Sequence, residues 1–114
     1  MSHQYEIVTL YFPFADDYTQ SKLRPGLILT KTIKPHDLVI IAMISSQTQL
    51  ETENHLLLKK NSSNFPSTGL KKNSIIKLDQ LITVDLDSIS HLLGKLPNKN
   101  ILQVKSKLKQ IFSV

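Results

Sequence analysis

Cysteine is absent from the chain. There is therefore no disulfide framework, no thiolate zinc site and no cysteine nucleophile, and the absence fits a reducing compartment. The start, MSHQYEIV, lacks both the basic region and the long apolar region of a secretory leader, and no apolar run reaches the length of a membrane span. A cytoplasmic protein without membrane contact is expected. The sequon at Asn61, Ser62 and Ser63 then has no modifying enzyme to meet. The four histidines, at positions 3, 36, 55 and 91, show no metal-pair spacing, so neither metal nor cofactor is expected. No internal repeat and no domain linker interrupt the chain.

What is present suits one domain. A chain of 114 residues buries roughly two thirds of its unfolded surface and folds without covalent staples, so residues 1–114 are read as a single unit. Fourteen Lys and Arg against nine Asp and Glu leave a net charge of +5. That surplus attracts a polyanion or an acidic protein, or serves solubility alone.

The organising stretch is 38–47, LVIIAMISSQ, in which seven consecutive apolar residues run into Ser45, Ser46 and Gln47. A β-branched run this short predicts a central strand buried on both faces. Its polar end sets hydroxyls and an amide at the rim of the core, where chemistry meets solvent.

Ahead of it, residues 6–12 alternate as a half-buried strand, with Val8, Leu10 and Phe12 on one face. Pro13 should end that strand, and the polar segment 14–23, with Asp16 and Asp17, reads as a solvated loop. Arg24 and Pro25 open a second strand over 27–34, with Gly26 permitting close backbone approach. Beyond the central strand come a short strand at 55–59, a long loop at 60–73 and a long strand or bent strand pair at 74–84. In the last, alternation sends Ile76 and Leu78 to one side and Lys77 and Asp79 to the other. A helix follows from about Asn98 as N-cap, with Ile101, Val104, Leu108 and Ile111 at helical spacing. The fold expected is mainly β with a C-terminal helix: a small, strongly bent antiparallel sheet or partly closed barrel.

Five stretches, EIVTLYFPFAD, KLRPGLIL, IAMISSQ, GLKKNSIIKLDQLITVD and LGKL, together resemble the PemK/MazF-like toxin family, the endoribonucleases of type II toxin-antitoxin modules. They occur in the family's order across nearly the whole chain. The resemblance implies an SH3-like barrel, a homodimer, single-stranded RNA in a groove at the dimer surface, cleavage without metal, and a cognate antitoxin covering the groove. It places the family's arginine on Arg24, its hydroxyl residue on Ser45 and its Arg-x-Asp pair on Lys77 and Asp79. The chain departs from the family in Tyr5 and Glu6 for Gly-Asp, Ser45 for Thr and Lys77 for Arg. Lysine keeps the charge of the last pair but loses the planar fork that grips phosphate.

Metal-free RNA cleavage uses the 2′-hydroxyl as nucleophile, so the protein supplies a base, a positive clamp and a proton for the leaving 5′-oxygen. The resemblance assigns Asp79 as base, Lys77 as its partner, Arg24 as clamp and Ser45 as phosphate ligand. Ser46 and Gln47 are expected RNA contacts beside Ser45, and Phe14, Tyr18 and Phe65 are loop aromatics able to stack on bases. On spacing alone, Lys77 and Asp79 equally fit a surface ion pair, Arg24 a partner for Asp16 or Asp17, Ser45 a turn cap, and the aromatics packing anchors. Two rival readings stand beside the nuclease: a barrel of this fold that binds RNA or antitoxin without cutting, and a toxin that poisons a protein such as DNA gyrase.

Overall fold

Alternation and burial sort the chain into six strands and one helix: β1 (Glu6–Tyr11), β2 (Leu23–Ile28), β3 (Leu38–Ser45), β4 (His55–Leu58), β5 (Ser74–Asp85), β6 (Ile89–Lys95) and α1 (Asn98–Phe112). The computed structural model describes residues 3–12 and 23–114. All pairings are antiparallel, in the spatial order β4-β5-β3-β2-β1-β6. The sheet bends but does not close, since no ladder joins β4 to β6.

β3 lies inside the sheet and feeds both faces. Ala42 and Ile44 join one core with Ile7, Leu27, Leu56 and Leu78, while Val39 and Ile41 join a second with Val8, Leu10 and Ile28. Helix α1 covers the first core through buried Val104, flanked by Ile101, Leu108 and Ile111. Its cap falls one residue earlier than expected. Pro97 holds the cap position, where its missing N–H costs no helical bond, and Asn98 is the first helical residue.

β5 bridges both cores by changing phase. Ala42 pairs with Leu81, but the next residue, Met43, pairs with Lys77, leaving Leu78, Asp79 and Gln80 without a β3 partner. Three extra residues are an odd number. Ile76 and Leu78 therefore point into the first core, whereas Ile82 and Val84, also even-numbered, pack against the second.

β2 occupies 23–28 rather than 27–34. Pro25 is admitted because β3 begins to pair only at Gly26, so no neighbour on that side requires its N–H. A Cβ at Gly26 would lie 2.5 Å from Ile41 Cγ2 and 3.3 Å from the Ala42 carbonyl oxygen, so glycine lets β2 and β3 meet here. β6 is an additional strand beyond those the sequence suggested. Within the 60–73 loop, Phe65–Thr68 forms a short 3-10 helix. It ends at Gly69 with φ +73°, where a Cβ would lie 2.1 Å from the Leu93 carbonyl oxygen of β6. No helix among the described residues is long and apolar enough to cross a membrane.

Candidate active site

Arg24 enters the site from β2, where it pairs with Leu10 of β1, and Ser45 enters from the last position of β3. The Gly26–Met43 pairing sets these strands side by side. As a result Arg24, Ser45, Ser46 and Gln47 line one open cleft of about 390 Å³, together with Lys71, Lys72 and Ser74 from the start of β5 and the loop before it. Leu23, Leu70 and Leu93 supply its apolar wall.

Ser45 is oriented within the cleft. Its Oγ accepts the Gln47 backbone N–H at 3.1 Å, which leaves the hydroxyl proton to donate to an incoming anion. The turn-cap role and the ligand role of Ser45 are therefore compatible. Arg24 is exposed and presents the N–H donors of its planar guanidinium. Three cations and a hydroxyl thus surround one cleft, a set of donors with the chemistry that phosphate oxygens accept from.

Lys77 and Asp79 stand apart from this cleft. Ser45 pairs with Ile75, and Asp79 is four residues farther along β5, roughly 13 Å at the usual rise of a strand. The Asp79 carboxylate accepts from His55 Nε2 at 3.2 Å and from Asn54 Nδ2 at 3.4 Å. His55 is buried, and its Nδ1 accepts the Thr52 backbone N–H at 3.0 Å, so the ring proton sits on Nε2, facing Asp79. Alternation sets Asp79 on the opposite side of β5 from Leu78, but the Ser45–Ile75 register leaves it four residues along the strand, within the 78–80 segment that has no β3 partner. No carboxylate or imidazole lines the cleft among the described residues. Lys77, paired with Met43 and His55, is half-buried on the same sheet face as Ser45, one diagonal step away, and does not line the cleft.

The aromatic expectations divide. Phe65 is 5% exposed and packs in the first core, so it offers no stacking face. Its place in a polar loop concealed that burial. Phe14 and Tyr18, with Asp16 and Asp17, lie outside the described residues. Lys71 and Lys72, which the sequence places in a loop, are the cleft residues that motif reasoning missed. The one signal for them was the absence of acidic neighbours. No group of three His, Cys, Asp or Glu converges anywhere among the described residues.

A half-open, six-stranded antiparallel sheet with one covering helix and a basic cleft at the β2–β3 margin defines a small β domain. The family model for the PemK-like, MazF-like toxin of type II toxin-antitoxin systems matches residues 3–112, and the chain belongs to that family. The fold is shared with solved structures at low identity. Mycobacterium tuberculosis toxin MazF-mt6 aligns with TM-score 0.72 and 17% identity over 96% of this chain and 97% of its own. MazF from Deinococcus radiodurans gives TM-score 0.72 and 17% identity over 97% and 96%. The MazE-MazF structure from the same organism gives 0.73 and 16% over 96% and 94%. A comparison with curated protein sequences finds no match.

Proposed function

We propose that this chain is the toxin of a type II toxin-antitoxin pair, a cytoplasmic endoribonuclease that cuts single-stranded mRNA without a metal. The observation that carries the reading is the convergence of Arg24 with Ser45, Ser46 and Gln47 from two strands into one cleft. In the reaction, the RNA 2′-hydroxyl attacks the adjacent phosphorus and gives its proton to water, the bond to the 5′-oxygen breaks and that oxygen takes a proton from water, and the products carry a 2′,3′-cyclic phosphate and a 5′-hydroxyl. Arg24 stabilises the charge that grows on the non-bridging oxygens, and the Ser45 hydroxyl donates to one of them. Asp79 acts as a strut for the β4–β5 margin through His55 rather than as the general base. Lys77 belongs to the same margin.

The partners follow from the same reading. The structural neighbours include a MazE-MazF structure and a mycobacterial endoribonuclease in complex with its cognate antitoxin, which supports an antitoxin for this chain. Homodimerisation is supported by exposed Tyr11 and Leu23, paired on β1 and β2 where Leu23 borders the cleft.

The test is incubation of antitoxin-free protein with long single-stranded RNA in EDTA. Fragments with 5′-hydroxyl ends are expected, and Arg24→Ala should cut on the order of 10²- to 10³-fold more slowly while remaining folded. Full activity in Arg24→Ala would place the site elsewhere. The second reading, RNA binding without cleavage, is favoured by the absence of a described carboxylate or imidazole in the cleft. It predicts RNA that is bound and stays intact. DNA damage without RNA fragments would instead point to a protein target such as gyrase.

A further inference from the structure

The positive charge of this molecule is concentrated in one place. Residues 54–78 contain five lysines and no acidic residue, while the remaining nine basic residues of the chain are matched by nine acidic ones. Four of those lysines meet at the open end of the β4–β5 pair. Lys59 and Lys60 follow β4, and Lys71 and Lys72 precede β5. The Lys60 backbone N–H donates to Asn73 Oδ1 at 2.6 Å, tying the two arms together. Ser62 Oγ donates to the Lys59 carbonyl, and Ser74 Oγ donates to the Lys72 carbonyl at 2.9 Å, fixing the backbone on each side.

Between the arms lies a cradle of about 510 Å³, lined by Lys59, Lys60, Asn61, Lys71, Lys72 and Asn73. None of its four ammonium groups forms an ion pair with a carboxylate among the described residues. Uncompensated like charges held this close repel one another, and a polyanion relieves that repulsion. Lys71 and Lys72 also line the Arg24–Ser45 cleft, so the two hollows share a wall and one strand can pass from one to the other.

We propose that the lysine cradle is a second phosphate-binding site, which holds RNA backbone next to the scissile phosphate and so extends the substrate footprint beyond the cleft. The proposal rests on the RNA-cleaving reading for the identity of the strand. RNA is favoured over an acidic peptide because every side chain in the cradle ends in an ammonium or an amide. Protein interfaces rely on aromatic and apolar anchors, whereas phosphate tracking needs only mobile cations and hydrogen-bond donors. The cradle discriminates no bases. It lengthens the bound strand and fixes its direction through the cleft.

The test uses Lys59→Gln/Lys60→Gln, which alters the cradle and leaves every residue lining the cleft in place. Binding of a labelled single-stranded RNA, blocked by 2′-O-methyl groups and long enough to span both hollows, is measured by anisotropy across a salt series. Removing two phosphate-binding cations should weaken binding about 25-fold at 0.1 M salt and flatten the logarithmic salt slope by about 1.4. A short RNA that fills the cleft alone should bind both proteins equally. Unchanged affinity and slope for the long RNA would overturn the cradle, as would weakened binding seen only with an oligo-aspartate peptide. Cutting of unblocked RNA is followed in parallel. Cutting with an unmoved salt slope sinks the cradle and spares the nuclease, whereas a shifted slope with no cutting by the unsubstituted protein does the reverse.

Discussion

Ser45 shows how much one hydrogen bond can settle. Because its Oγ already accepts the Gln47 N–H, the side chain needs only its remaining proton to serve a phosphate. Ser45→Thr, which preserves the hydroxyl, should keep cleavage near the unsubstituted rate. Ser45→Ala removes the donor and is expected to lower kcat on the order of 10²-fold, read from single-turnover cutting of a defined RNA. Asp79 offers the opposite case. As a strut it should tolerate Asp79→Asn with cleavage intact, whereas Asp79→Ala strands the buried His55 Nε2–H and should cost about 1–3 kcal/mol in urea unfolding. A collapse of kcat in Asp79→Asn with unchanged stability would return it to the role of base. Arg24 and Ser45 were legible from motif order, because a short motif carries its residue with it wherever the strand goes. The location of Asp79 was not, since the pairing of Ser45 with Ile75 leaves it four residues along β5, and no local pattern discloses that register.

At the scale of elements, β3 and α1 could be read from the sequence because their apolar periods are long and uninterrupted. β6 escaped notice for a physical reason. It is an edge strand whose residues Ser90 to Leu93 are exposed, so no buried alternation marks it. β2 was placed too late because Arg24, Pro25 and Gly26 resemble a chain break, and only the delayed start of β3 pairing makes them tolerable in a strand. The contact at Gly26 then becomes a site-building feature. Gly26→Ala would press a methyl against the Ile41 side chain and should destabilise the fold by about 1–3 kcal/mol. Because β2 must retreat from β3, cleavage should fall by more than the decrease in folded protein explains, measured as kcat per folded molecule.

Across the whole molecule, the two halves of the cleft are supported unequally. Ser45 ends a strand that β5 pairs along its whole length, while β2 joins it from Ile41 to Met43. Arg24 is held by β1 alone, because β3 reaches β2 only at Gly26. Amide hydrogen exchange should follow this difference, with the β3 amides from Val39 to Ile44 opening only on global unfolding and those of β6 exchanging sooner. One half of the proposed pair is thus anchored on a strand that β5 pairs throughout, and the other on a stretch of β2 that β3 does not reach. Gentle warming should silence the toxin while its spectroscopic signature is still native, and cooling should restore it within the dead time of the assay.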